Sequence, residues 1–227
     1  MMKIDVLTLF PEAFSPLKTS ILGRAAENGI LEFNIINIRD FSQDKHKKCD
    51  DYPFGGGAGM LMSVQPLFDA IKSVYKRGSK IIFPSPSGEV LSVKKAQSLS
   101  KCKHLIFVCG HYEGVDERIF ELFKMEQISI GDYVLTGGEL PTMVIIDCLA
   151  RFVDGVITEE SLTDESFSNG LLEYPQYTRP QEFMGLKVPD VLVSGNHQQV
   201  AKWRKEQSIK RTKERRSDLL HNTQENV

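Results

Sequence analysis

Ile128-Ser-Ile-Gly-Asp-Tyr-Val-Leu-Thr-Gly-Gly-Glu-Leu-Pro141 is the stretch on which the reading of this chain turns. The apolar run ending at Ile130 has the composition of a buried strand and breaks at Gly131. An irregular loop follows, then the pair Gly137-Gly138, and Glu139 and Pro141 open an apolar helix. Glycine reaches positive φ and lets a ligand approach main chain closely, and a helix start adds free N–H groups. The stretch is a strand–loop–helix unit shaped to hold a small polar molecule against backbone. It lacks the Gly-Lys-Ser/Thr of a phosphate loop, so a nucleoside triphosphate is not the expected guest.

Outward from this unit, strand and helix patterns alternate. Strands are expected at 3–10, 31–38, 80–84, 104–109 and 126–130. Helices are expected from Pro16 to the stop at Gly29, from the Ser63 cap to about Arg77, near 91–100, near 115–123, and over 139–152. The alternation predicts an α/β domain with a mostly parallel sheet over residues 1–157. Residues 40–62 form a long polar, glycine-rich loop, unusual inside a compact domain and therefore suspect as functional. Residues 158–171 are polar without periodicity and read as a flexible linker. The strand signal then disappears, and 172–227 reads as a small helical domain in which Asn196 caps a long basic helix.

The 227 residues carry a formal charge of −2, so overall charge does not select a partner. Residues 202–216 are locally basic, with Lys202, Arg204, Lys205, Lys210, Arg211, Lys213, Arg215 and Arg216 against Glu206 and Glu214. Such a helix neutralises phosphates; the plain alternative is a solvated face with Trp203 in the small domain's core. Cys49, Cys102, Cys109 and Cys148 are scattered without Cys-x-x-Cys, which argues against zinc and against a disulfide framework. The N-terminal segment has no signal-peptide pattern, and no apolar run is long enough to span a bilayer, so a cytoplasmic location is expected.

Ligands of open α/β sheets bind beyond the carboxyl ends of strands. Three strand ends carry unusual sequence: Ser85-Pro-Ser-Gly88, Gly110-His-Tyr-Glu-Gly-Val-Asp-Glu-Arg118 and the Gly131–Pro141 stretch. Each alone could be a tight turn. Together they point to one site. Gly55, Gly56 and Gly57 lie in the long loop after Asp44-Lys-His-Lys-Lys48, where RNA contact competes with a bare surface loop. Arg151 ends the 139–152 helix, where a cation suits the helix dipole, and Asp164 and Glu165 sit in the linker.

Longer motifs sharpen this. Leu7-Thr-Leu-Phe-Pro-Glu12, Asp51-Tyr-Pro-Phe-Gly-Gly-Gly-Ala-Gly-Met60, the 110–118 and 131–141 segments, Gly170-Leu-Leu-Glu-Tyr-Pro-Gln-Tyr-Thr-Arg-Pro180, Leu192-Val-Ser-Gly-Asn-His197 and Trp203-Arg204 follow one another along the chain. In that order they resemble the bacterial tRNA (guanine-N1-)-methyltransferases, the TrmD family of the SPOUT class. The resemblance implies a sheet with a deep trefoil knot and a homodimer with active sites at the subunit interface. It implies S-adenosylmethionine as methyl donor and the guanosine at position 37 of tRNA as acceptor, and it leaves a magnesium requirement open.

On matching positions the implied donor pocket comprises Pro86, Gly110, Tyr112, Glu113, Ile130, Gly131, Asp132, Tyr133, Val134, Leu135, Gly137, Gly138 and Pro141. Gly55, Gly56 and Gly57 are implied for the flipped-out guanine. Lys202, Arg204, Arg211 and Arg215 are candidates for phosphates of the anticodon stem-loop. Arg151 matches the arginine that steadies charge on guanine O6. The general base of the family pattern is an Asp directly before Ser-Phe-x-x-Gly. Glu165 stands there and is the preferred base, with Asp164 one place earlier as the alternative. Two other readings are a knotted methyltransferase for a different RNA position and an RNA-binding protein without catalysis.

Overall fold

A computed structural model of the chain describes residues 1–158 and 165–221. The chain divides into two compact units, Met1–Ile157 and Thr158–Val227. In the first unit, strands β1 (Met2–Thr8), β2 (Leu31–Asn37), β5 (Lys80–Val90), β6 (His104–Val108) and β7 (Met125–Ser129) form one sheet in the order β2-β1-β6-β5-β7. Every pairing is parallel. The short strands β3 (Asp50–Asp51) and β4 (Leu61–Met62) make a separate antiparallel ladder.

Alternation along the strands explains the layers. Leu105 and Phe107 of β6 enter a core with Leu22 and Ala25 of helix α1 (Ser20–Glu27), Ala96 and Leu99 of α3 (Val93–Ser100), and Ile145 and Leu149 of α5 (Glu139–Ala150). Ile106 and Val108 point the other way, against Leu67 and Ile71 of α2 (Val64–Val74) and Ile119 of α4 (Arg118–Leu122). The period of two in a strand thus feeds two cores at once. Each fully buried Leu, Ile or Phe stabilises by about 1.5–3 kcal/mol. This is the α/β parallel-sheet architecture expected from the alternation.

Within buried β1, Asp5 is fully buried yet matched. Its carboxylate accepts from Asn34 Nδ2 at 3.0 Å and lies 2.7 Å from His104 Nε2 and 3.3 Å from Lys3 Nζ. His104 Nδ1 in turn meets Ser79 Oγ at 2.7 Å. A buried charge is tolerated where such partners replace water.

Several local expectations are corrected. The helix expected from Pro16 to Gly29 is a 3-10 helix, Pro11–Lys18, followed by α1; Thr19 between them is extended. Pro16 cannot donate to an α-helical ladder, which favours the break. α2 ends at Val74 rather than near Arg77, because Tyr75 is already extended. β5 does not end at residue 84: it leaves β7 after the Pro84–Ile128 pairing and returns at Glu89–Ile128. Ser85–Gly88 is therefore a bulged excursion within a strand, not a strand-to-helix turn.

In the second unit, a small hairpin of β8 (Glu182–Phe183) and β9 (Leu186–Lys187) stands where no strand was expected. Its turn rests on positive φ at Met184 (51°) and Gly185 (80°), a local geometry that hydrophobic periodicity does not report. Helices α6 (Asp190–Val193), α7 (His197–Arg215) and α8 (Asp218–His221) follow. Asn196 caps α7 by accepting from Gln199 N at 3.2 Å. Residues 165–172 are turned and held: Phe167 N donates to Leu171 O at 2.8 Å, and Leu172 N to the Oγ1 of buried Thr212 at 2.8 Å.

Candidate active site

The mid-strand excursion of β5, the carboxyl ends of β6 and β7 and the start of α5 surround one cavity of about 290 Å³. Pro86, Gly110, Tyr112, Glu113, Ile130, Gly131, Tyr133, Val134, Leu135, Gly137, Gly138 and Pro141 all line it. Asp132 is exposed and is not among the lining residues. In the 131–135 loop the neighbouring backbone is held inward by Ser129 Oγ, which accepts from Gly131 N at 3.1 Å, and by Tyr133, whose hydroxyl donates to Ile130 O at 3.2 Å.

The close approach expected of the glycine pair is present. Gly138 N donates to Gly110 O at 2.7 Å. A Cβ at Gly138 would stand 2.7 Å from Gly110 N and 2.8 Å from Cys109 Cα, so only glycine lets the two segments touch. Beneath them, Thr8 Oγ1 donates to Glu139 Oε1 at 2.8 Å and accepts from Phe10 N at 2.9 Å. Glu139 begins α5, where a carboxylate favours the helix dipole. Its Oε2 lies 4.0 Å from His111 Nδ1, a buried atom with no hydrogen-bond partner among the described residues. The His111 ring packs between Phe10 (4.9 Å) and Tyr112 (5.0 Å). Cys109 is neutral: burial pushes its thiol far up, and Thr142 Oγ1 lies 3.3 Å from the sulfur. All four cysteines are free.

Phe83 also lines the cavity from outside the segments singled out in the sequence, while Ser85, His111 and Thr136 lie inside them but were not assigned to the donor pocket. His111 could have been found, since it lies between Gly110 and Tyr112. Phe83 reaches the cavity because its ring fills the space a Cβ at Gly110 would need, 2.8 Å from Phe83 Cζ.

The glycine loop is stitched to this cavity. Glu113 N donates to Met60 O at 3.0 Å, Met62 N to Gly114 O at 2.9 Å, and Asp116 N to Met62 O at 3.0 Å. Tyr112 hydroxyl reaches Asp50 Oδ1 at 3.4 Å. Gly55, Gly56 and Gly57 are exposed at positive φ, and Phe54 beside them is fully exposed. Upstream, Asp44 Oδ1 accepts from His46 N (2.7 Å) and Lys48 N (3.2 Å), which lowers its pKa and shapes the exposed Lys45–Lys48 turn.

Arg151 follows the last residue of α5 and is half-buried. Glu165 lies in the second unit, where it lines a cavity of about 570 Å³ with Tyr174, His197, Arg204 and Lys205. Asp164 lies outside the described residues. Of the four cations assigned to phosphates, Lys202, Arg204 and Arg215 are exposed. Arg204 stacks over Tyr174 at 4.7 Å. Arg211 is partly buried and donates to Glu173 O at 3.3 Å, which gives it a structural task in addition. Among the described residues no cluster of His, Cys, Asp and Glu could hold a metal, and no helix is long and apolar enough to cross a membrane.

Known proteins resemble this chain along its whole length. The family model described as tRNA (Guanine-1)-methyltransferase TrmD matches residues 2–222. A tRNA (guanine-N(1)-)-methyltransferase of Ruminiclostridium cellulolyticum is 58% identical over 225 residues, 97% of either chain. Its namesake from Halalkalibacterium halodurans is 56% identical over 96% of this chain and 91% of its own. That of Dictyoglomus turgidum is 52% identical over 98% and 91%. With a family match that spans both units and a cavity built from the same motifs, the chain belongs to the tRNA (guanine-1)-methyltransferase TrmD family.

Proposed function

We propose that the protein transfers a methyl group from S-adenosylmethionine to N1 of the guanosine at position 37 of tRNA, in the cytoplasm and as a homodimer. The observation that carries this reading is the convergence of the β5 excursion, the ends of β6 and β7 and the start of α5 on one cavity, in a chain of this family. The cavity offers what the donor needs: main-chain groups for an adenine edge, apolar walls at Ile130, Leu135 and Pro141, and the Glu113 carboxylate for a cation. We assign the segments that meet at Gly110 and Gly138 to the knot implied by the resemblance. The donor supplies the methyl group as an electrophile. Glu165 takes the N1 proton of guanine, which makes that nitrogen a nucleophile. Arg151 donates to O6, where negative charge develops. Gly55, Gly56 and Gly57 admit the extruded base, and the exposed Phe54 offers a neighbouring base a stacking face.

The dimer reading is supported by α5. Its outward positions Leu140 and Val144, one turn apart, are 58% and 47% exposed, and Asp147 and Arg151 continue the same face. Exposed apolar side chains on one helix face call for a cover, which a second copy would supply.

Mass spectrometry of tRNA treated with the protein and S-adenosylmethionine tests the reading. The expected product is 1-methylguanosine at position 37. Another modified position, or none, would overturn it. Glu165→Gln is expected to lose transfer while still binding the donor.

A further inference from the structure

The excursion Ser85–Gly88 brings Ser85 and Pro86 to the cavity, yet the excursion has little apolar burial to hold it. Its fixings are polar. Ser87 Oγ donates to Gln127 Oε1 at 2.9 Å and meets Ser85 Oγ at 2.7 Å. Gly88 presses on β7, where a Cβ would stand 2.4 Å from the Gln127 carbonyl carbon. Lys95 Nζ, from α3, lies 2.5 Å from Glu89 Oε2 on the return limb and 2.6 Å from Glu126 Oε1 on β7. Lys80 Nζ, at the start of β5, takes the other Glu126 oxygen at 2.5 Å.

Lys95 sits in the first turn of α3, after the Ser92 cap, where the helix dipole disfavours a cation. Two carboxylates offset that cost. The lysine and Glu126 side chains are only 18% and 22% exposed, so this is a partly desolvated network rather than an isolated surface pair.

We propose that Lys95 is a positioning residue for the donor pocket, latching the 85–88 excursion to β7 through Glu89 and Glu126 so that the Pro86 wall stands in place. The proposal rests on the reading that this cavity holds S-adenosylmethionine. Lys95 touches no reacting atom. Its loss loosens one wall and leaves the acceptor chemistry intact.

The test compares Lys95→Met, Lys95→Arg and Glu89→Gln with the wild type, by calorimetric titration with S-adenosylmethionine and by steady-state kinetics. Lys95→Met is expected to raise donor KM and Kd about fivefold, with kcat at saturating donor within about twofold of wild type. Lys95→Arg is expected to restore most of the affinity, because a guanidinium still bridges two carboxylates. Glu89→Gln, on an exposed side chain, is expected to shift KM the same way by less, and to add nothing in the Lys95→Met background. Unchanged donor KM in Lys95→Met and Glu89→Gln would overturn the latch, as would a fall in kcat with KM unmoved. If Lys95→Met does not fold, Glu89→Gln alone decides. A wild-type protein that fails to bind S-adenosylmethionine would overturn the pocket reading instead.

Discussion

Thr8 Oγ1 donates a 2.8 Å hydrogen bond to Glu139 Oε1 across 131 residues of chain. It joins the carboxyl end of the buried β1 strand to the first residue of α5, directly under the glycine pair of the cavity. A buried carboxylate that loses a donor carries an uncompensated desolvation penalty. Thr8→Val removes that donor and the acceptor of Phe10 N together. It should cost about 1–3 kcal/mol in urea unfolding. Thr8→Ser keeps the hydroxyl and should cost far less.

Gly138→Ala puts a Cβ against the backbone of the Cys109–Gly110 segment, at Gly110 N and Cys109 Cα. Neither neighbour can rotate away as a side chain would. Overpacking of this kind costs about 1–3 kcal/mol, and relief must come from displacing one of the two cavity segments. The expected outcome is a lower melting temperature with donor affinity reduced by about tenfold or more, read by calorimetric titration.

The Lys95 network sets a pH window. Burial pushes the Glu126 pKa up, but the hydrogen bonds from Lys80 and Lys95 outweigh it, and the net shift is downward. Stability from a depressed carboxyl is present above its unfolded pKa of about 4.3 and is lost as pH falls through the folded value. Lys95 is shifted up, by Glu126 first and Glu89 second. Its contribution is full below about pH 10.4 and fades as pH rises through the folded value. The difference in melting temperature between wild type and Lys95→Met should therefore be flat from about pH 5 to 10 and shrink on either side. Asp116, lowered by its hydrogen bonds from Arg118, adds acid sensitivity to both proteins alike and drops out of the difference.

The basic helix should separate into two classes of cation. Lys202→Ala and Arg215→Ala remove exposed charge and should each lower the salt slope of tRNA binding by about one, with unchanged melting. Arg211→Ala also releases the Glu173 carbonyl, next to the segment that Thr212 holds. It should lower the stability of the second unit by about 1–3 kcal/mol in addition. Filter binding at several salt concentrations, alongside thermal melts, distinguishes the classes.

Much of the fold was legible because strands buried on both faces and amphipathic helices write their period into neighbouring residues. The alternation of β6, with Leu105 and Phe107 to one core and Ile106 and Val108 to the other, is of this kind. The glycine pair was legible too, since a close approach of two backbones leaves no other residue type. What escaped was the β5 excursion: a register jump exists only relative to β7, and Ser-Pro-Ser-Gly reads as a turn when taken alone. The Met184–Gly185 hairpin escaped for the related reason that two residues per strand are too few to show a period.

By itself the sequence determined the parallel α/β order, the basic helix after Asn196, the motifs of the family and the segments that supply most of the residues around one cavity. Only the tertiary structure decided that Asp132 is exposed, that His111 of the cavity wall lies 4.0 Å from Glu139, that Arg211 is partly committed to the fold, and that a lysine on α3 pairs with Glu89 of β5 and Glu126 of β7. Local composition dictates which backbone shapes are cheap. Which side chains share a site depends on strand register and on the packing of segments far apart in the chain, and those follow from the folded whole.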